Sequence, residues 1–319
     1  MKKILMILTH DRLDCLRLNL EMLHAAGAFL LFDKVVLLLN GVSAHHRRVA
    51  EQFMASHLAT SWDALEGPGT RPAGLVGLQN RCVERYPDSL YMKLDEDVFV
   101  PAGWAERMIS AYEAFSPRDN LGLITPLIPN NGFGLHVLLT KFYPALLDDH
   151  RKLFGRDPSP ERQGFTWQSP AVAEWATRRF MSLNDANENH RALLRELKAP
   201  RFIEFADPFS VGCICYDYRH WKKMGGVPPR DEPEWCDWIQ SNHHINILDC
   251  SQIILHYSFF VQQDWLDRTH LLEDIRMTNL PGTLSSKAGL AYNTPWIRRL
   301  IAQAPRAALR KAHRLVLQK

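Results

Sequence analysis

Along the first hundred positions, short unbroken apolar runs alternate with segments whose apolar residues recur at helical spacing. Ile4 to Leu8 is one such run and reads as a strand. Leu13, Leu16, Leu20 and Leu23 then mark one face of a helix over residues 13–26, closed by Gly27. Val35 to Leu39 is a second run, ending in Asn40-Gly41, as expected of a buried parallel strand entering a turn. The pattern predicts helices over 45–58 and 75–86, separated by a Gly/Pro-rich loop over 66–74. A further strand, Leu90-Tyr91-Met92-Lys93-Leu94, runs straight into Asp95-Glu96-Asp97. Repeated strand–helix units predict an α/β fold with a mostly parallel sheet, whose ligands gather at the carboxyl ends of the strands.

Residues 121–128 offer another strand. The stretch over about 130–200 is rich in His, Arg, Asn and Trp, with a helix expected over 189–198, and reads as a helical and loop insertion beside the site. Strand character returns at 209–216. A helix over 219–224 ends at Gly225-Gly226, another begins near Pro233, and an apolar run leads to His256. The start Met1–Leu8 imitates a signal peptide, but the apolar run ends at Thr9-His10-Asp11-Arg12 without a small-residue cleavage site, so a first strand is expected. No stretch reaches the roughly 18 apolar residues of a membrane span.

With 46% hydrophobic and 23% charged residues over 319 positions, the composition is that of an ordinary globular protein. The six cysteines contain no C-x-x-C pair and read as reduced, mostly buried thiols of a cytosolic protein. Net charge is +3, but it is unevenly spread: nine of the 38 Lys and Arg lie after Asp274, where no acid occurs, which leaves the preceding chain at −6. Apolar and basic residues interleave at helical spacing around Trp296–Ile301 and Leu309–Val316, interrupted by Pro305. That pattern suits either an amphipathic helix on an anionic membrane surface or a solvated C-terminal helix on its own domain. Nucleic acid is not expected as a partner, since no aromatic stacking platform or recognised binding motif accompanies the charge.

The candidate chemistry centres on residues 95–97. In an extended chain the period of two puts Asp95 and Asp97 on one side, where each carboxylate raises the cost of ionising the other unless a cation bridges them. A hard divalent metal with oxygen ligands is one occupant; a solvated acidic turn is the other reading. Neither G-x-x-x-x-G-K-[ST], H-E-x-x-H nor G-x-S-x-G occurs, so P-loop, zincin and serine-hydrolase chemistries have no support.

The ordered series Thr9-His10-Asp11-Arg12, Asn40-Gly41-Val42-Ser43, Gln79-Asn80-Arg81, Leu94-Asp95-Glu96-Asp97, Gly212, Gly225-Gly226 and Ile253–Tyr257 resembles the nucleotide-sugar domain of GT-A glycosyltransferases, most closely the large family 2. The resemblance spans about residues 3–260. It implies a GT-A, Rossmann-like domain over 1–274 and leaves 275–319 as a basic, helical tail. It also implies transfer of a sugar from a nucleoside-diphosphate sugar, with Mn2+ or Mg2+, to a saccharide acceptor by an inverting single displacement; the basic tail adds the expectation of docking on the cytoplasmic face of a membrane, near a lipid-linked saccharide such as a surface-glycan precursor. In this reading Asp97 holds the metal, with Asp95 and His256 as further ligands. Thr9, Asp11, Arg12, Asn40, Asn80 and Asp95 line the nucleotide. Asp237 is the base, with Glu234 in reserve; both also fit the first turns of a helix, where acids offset its dipole. Asn40 stands where family members often carry an acid, and the base region lacks the usual adjacent Glu-Asp pair. A sugar-nucleotide pyrophosphorylase and a non-catalytic GT-A-like scaffold are the alternatives. The first is disfavoured by the lack of a Gly-rich phosphate loop after the first strand.

Overall fold

A computed structural model describes residues 1–161, 163–206, 209–210 and 212–281. In chain order, the first half comprises β1 (Lys2–Thr9), α1 (Leu13–Ala25), β2 (Lys34–Asn40), α2 (Ala44–Ser56), β3 (Trp62–Gly67), α3 (Ala73–Arg85), β4 (Ser89–Asp95), β5 (Val98–Phe99), α4 (Trp104–Phe115) and β6 (Leu121–Leu127). The expected insertion follows as α5 (Gly132–Val137), α6 (Pro144–Phe154), α7 (Phe165–Gln168), α8 (Pro170–Arg179) and α9 (Leu183–Glu196). The remainder is β7 (Phe202–Phe205), β8 (Cys213–Asp217), α10 (Tyr218–Met224), α11 (Glu232–Ser241), β9 (Ile245–Ile253), β10 (Leu255–His256), α12 (Gln263–Leu266) and α13 (Leu271–Asn279).

Eight strands form one sheet in the order β3-β2-β1-β4-β8-β6-β9-β7, in which β8 runs antiparallel to β4 and β6, and β7 antiparallel to β9. The chain is therefore α/β, with a mostly parallel sheet between helices. The pleat divides the central strands. Leu5, Ile7, Leu37, Met92 and Leu94 pack with Leu16, Leu20 and Leu23 of α1 and with Trp104 and Met108 of α4. The opposite faces of these strands, which carry Met6, Tyr91, Lys93 and Asp95, turn toward the side of α3 and α10. The first crossovers build outward from β1 to β3, and the chain then returns to the other side of β1 as β4. This reversal opens a crevice at the carboxyl ends of β1 and β4, where Thr9–Arg12 and Asp95–Asp97 lie.

β9 ends in a jog. Its register with β6 jumps between Pro126–Asp249 and Leu127–Ile253, and buried polar groups fill the irregularity. Asp249, wholly buried, accepts from the Ser251 amide and hydroxyl, the Gln252 amide and Arg201. Asn187 of α9 brackets Ile253, donating to its carbonyl at 2.7 Å and accepting from its N–H at 2.9 Å. The jog re-aims the chain so that β10 leaves the main sheet and pairs with β5.

All six cysteines are buried and none forms a disulfide, and none of the described helices is long and apolar enough to cross a membrane. The compact unit runs from Met1 to Asn279. Helix α13 bridges the boundary expected at 274, and its Arg276, counted above with the basic tail, pairs with Glu21 of α1 at 2.5 Å. Residues 282–319, which carry the rest of the tail, lie outside the described residues.

Two stability predictions follow from the clamp of α9 on β9. Asn187→Ala strands the Ile253 N–H and carbonyl in the interior, and urea unfolding should show a loss of roughly 2–4 kcal/mol. Buried His190 donates from Nε2 to the Cys250 carbonyl at 2.7 Å, so the neutral ring accepts the Tyr143 hydroxyl at Nδ1. Burial lowers its pKa to about 4. Between the ordinary value near 6.5 and 4 the unfolded chain takes up the proton and the folded one does not, so acid favours unfolding. From pH 7 to pH 5 the wild type should lose about 2 kcal/mol that His190→Gln does not, and the gap between the two should narrow as pH falls.

Candidate functional site

The crevice is organised by the middle acid of Asp95-Glu96-Asp97. At the end of β4 the alternation sends Glu96 to the side opposite its neighbours, beneath the β1–α1 turn. Its carboxylate accepts from the backbone amides of His10, Asp11 and Arg12 at 3.1–3.3 Å and from the Thr9 hydroxyl. Since that hydroxyl gives its proton to Glu96, it accepts from His46 Nε2, 2.8 Å away. Burial raises the Glu96 pKa to about 7, against the lowering effect of these donors. The amides at the start of α1, a ready anion cradle, are thus filled by a side chain of the protein itself.

On the other side of the strand, Lys93 and Asp95 share a face. The ammonium, almost fully buried, lies 2.6 Å from Asp95 Oδ1. Burial raises the Asp95 pKa, and Asp97 adds to the effect, while Lys93 opposes it. Asp97, in the turn between β4 and β5, meets His256. The pairing of His256 with Val98 across β10 and β5, and a bond from the Tyr257 N–H to the Asp97 carbonyl at 2.8 Å, bring the two side chains to 3.2 Å. Burial alone would lower the pKa of His256, but the Asp97 carboxylate reverses the direction and raises it. For Asp97, burial works upward and is outweighed by His256 and Arg12, so its pKa falls.

These residues fit a divalent cation held mainly by its substrate. Two ligands at right angles with bonds of about 2.1 Å stand about 3 Å apart, close to the Asp97–His256 separation. His256 Nδ1 is buried and has no hydrogen-bond partner among the described residues, so the ring is held by Asp97 at Nε2 and by edge-on packing against Phe259. A cation taking Nε2 would displace its proton. Among the described residues no three His, Cys, Asp or Glu side chains converge as a complete cage. Oxygens of a bound diphosphate would have to complete the coordination.

The remaining expected nucleotide residues are engaged within the protein. Asn40, wholly buried, donates to the Thr70 carbonyl at 3.1 Å and accepts from the Gly69 N–H at 2.9 Å, which moulds the 67–74 loop. The loop passes so close that a Cβ on Gly41 would sit 2.3 Å from the Gly69 Cα, and both glycines have positive φ. The Asn80 oxygen accepts from the Trp221 indole and the Val227 N–H, each at 2.7 Å, and pins the Gly225-Gly226 turn. Arg12 reaches across to Ser258 at 2.6 Å and Asp267 at 2.7 Å, with Tyr257 beneath its guanidinium. It ties the β1–α1 turn to the segment that follows His256. Asp11 remains exposed at the rim, 3.4 Å from Arg71.

Helix α11 carries the expected base region. Asp237 is exposed, two turns into the helix, and Glu234 is half-buried and accepts from the Arg230 N–H at 3.1 Å. The acid in contact with the site's electrostatics is Asp231, which precedes the helix. One of its carboxylate oxygens is buried without a hydrogen-bond partner among the described residues. Burial raises its pKa to about 6, with Asp95 adding and Lys93 opposing. Sequence reasoning passed over three residues here: Lys93, Glu96 and Asp231. The alternation through 93–97 carried a signal for the first two, and an acid just after Gly225-Gly226 and ahead of Pro233 carried one for the third.

The sequence matches no protein-family model, and no curated protein matches it. Among solved structures, the chain is similar to the mannosyltransferase PcManGT from Pyrobaculum calidifontis in complex with GDP-Man and Mn2+, at 9% identity and a TM-score of 0.47 over 83% of this chain and 59% of that one. It is also similar to GalNAc-T7 with UDP, GalNAc and Mn2+, at 11% identity and a TM-score of 0.49 over 80% and 44% of the two chains. A more partial likeness, to S. aureus TarS in complex with UDP-GlcNAc, covers 40% of this chain and 34% of that one, at 11% identity and a TM-score of 0.30. The chain thus spans less than two thirds of each of these structures, and every likeness lies below a TM-score of 0.5.

Proposed function

We propose that the chain is a metal-dependent glycosyltransferase of the GT-A type, acting on a nucleoside-diphosphate sugar and a saccharide acceptor. The observation that carries this reading is the pairing of Asp97 with His256 at the switch point of the sheet, next to the Lys93–Asp95 pair. A Mn2+ or Mg2+ ion, when bound, neutralises the departing diphosphate. Asp97 and His256 hold the ion. Asp95, its charge balanced by Lys93, faces the donor, as does Asp11 at the rim. Thr9, Arg12, Asn40 and Asn80 shape the loops around the nucleotide through the internal bonds described above.

Asp231 takes the role first given to Asp237. Its carboxylate accepts the proton of the acceptor hydroxyl as that oxygen bonds to the anomeric carbon and the bond from that carbon to the diphosphate breaks, its electron pair leaving with the diphosphate. A single displacement of this kind inverts the anomeric centre. The pyrophosphorylase alternative loses ground because the amides that could cradle a phosphate after β1 are occupied by Glu96. The basic sequence after Asn279 is proposed to dock the enzyme on the anionic cytoplasmic face of a membrane, near a lipid-linked saccharide.

UDP or GDP with Mn2+ should raise the melting temperature of the wild type, and Asp97→Ala should abolish the increment that depends on the metal; a response that survives the substitution overturns the metal assignment. With a panel of UDP-, GDP- and dTDP-sugars, Asp231→Asn should lower kcat by about 10²–10⁴-fold while donor affinity is kept, whereas Asp237→Asn stays within about twofold. NMR of the product anomer tests the displacement: retention would remove Asp231 from the base role.

A further inference from the structure

The segment that follows His256 carries an exposed apolar patch. Phe260 is 74% exposed and Val261 36%, and Trp265 of α12 is 46% exposed with its indole held by Glu174 at 3.0 Å. Single apolar side chains on a surface are ordinary, but three within six residues, next to the crevice, form a patch that calls for a partner.

The rings of this segment connect to the crevice. Phe259 packs edge-on against His256, with ring centroids 4.5 Å apart. Trp167, from α7 of the insertion, meets Phe259 at 6.0 Å and Phe260 at 5.4 Å, the latter with 73° between the ring planes. Half-buried Trp167 and exposed Phe260 thus make a corner of two rings, and Trp167 lies two ring contacts from His256.

One buried amide holds the corner in place. Gln262, wholly buried, donates to the Trp167 carbonyl at 2.8 Å and accepts from the Phe259 N–H at 3.2 Å, while its own N–H closes the turn on the Phe259 carbonyl at 2.8 Å. Asn130 donates to the His256 carbonyl at 2.7 Å and to the same Gln262 oxygen at 3.4 Å. His256 and the rings therefore share one hydrogen-bonded frame. Phe260 is presented by a fixed turn, without the ordering cost that a loose loop would add on binding.

The charge around the rings narrows the partner. Residues 257–268 carry Asp264 and Asp267 against Arg268, and residues 163–169 carry no charge. An anionic bilayer needs a positive surplus that these segments lack. A pyranose ring fits both features: its face of C–H groups stacks on an aromatic face, and the hydroxyls at its rim donate to carboxylates.

We propose, on the strength of the glycosyltransferase reading, that Trp167 and Phe260 form a saccharide subsite that receives rings of a neutral oligosaccharide acceptor beyond the one that reacts. An array of neutral mono- and oligosaccharides, probed with the full chain in the absence of nucleotide, tests it. The wild type should bind one or more oligosaccharides saturably. Phe260→Ser, a change at an exposed position, should weaken that binding about tenfold or more, and Phe260→Tyr should restore most of it. No bound oligosaccharide, or equal binding by Phe260→Ser, would overturn the subsite. So would a Phe260→Ser protein that keeps its sugar binding but leaves phosphatidylglycerol vesicles, since that assigns the patch to a membrane. The melting temperature with UDP and Mn2+ separates this subsite from the donor reading: wild type and Phe260→Ser should respond equally, and a wild type that binds oligosaccharide without any nucleotide response would strike the donor reading and leave the saccharide site standing.

Discussion

The crevice depends on one buried carboxylate. Glu96 joins the last residue of β4 to the first turn after β1 through three backbone amides and a hydroxyl. Without it, the three N–H groups of the β1–α1 turn would lie unpaired against the end of β4. The bond pattern also separates two tasks that a less constrained loop would mix. The start of α1 is committed to an internal anion, while Asp97 and His256 pair with each other on the other side of the strand. Arg12 extends the same grip: its own N–H is held by Glu96 while its guanidinium reaches Ser258 and Asp267 on the far side of the crevice.

Much of this was legible in the chain, and the legible part has a common cause. β1, β2 and β4 are buried on both faces, so they read as unbroken apolar runs, and the helices between them show their spacing because only one side meets the sheet. β3 escaped notice because it is an edge strand whose Trp62, Asp63 and Ala64 are only half-buried. β9 escaped for the opposite reason: its Asn246, Asp249, Ser251 and Gln252 are polar yet buried, the first accepting the Leu123 N–H of β6 and the others paired within the jog or with Arg201. Local patterning has no means of distinguishing a polar residue in water from one satisfied inside.

The same ambiguity governs the site. Asn40 and Asn80 were read as contacts to a nucleotide because an amide at a strand end or on a facing helix can meet a base edge. Both amides are spent on backbone groups, Thr70 and Gly69 in one case and Val227 in the other. In the proposed function, their effect on a nucleotide would run through loop shape. Asp95, Asp97 and His256 were legible because strand period and order along the chain are both one-dimensional. The exposure of Asp237 was not, since it depends on which side of α11 packs inward, as Trp235, Cys236 and Ile239 do.

The pairing of Asp97 with His256 also has a consequence for how the chain comes into being. The two residues are separated by about 160 positions, and they meet only through β10, which forms after the jog in β9. A chain emerging in order from its N-terminus completes β1 to β4 long before His256 exists, and in that interval Asp95 and Asp97 lie close together with Lys93 and Arg12, but no His256, to temper them. The first half can settle its sheet early, but the electrostatics of the crevice are in balance only once the last strand is laid down. Formation of the site is therefore tied to completion of the domain, so that a truncated copy of the chain would carry the fold's first half without a binding centre.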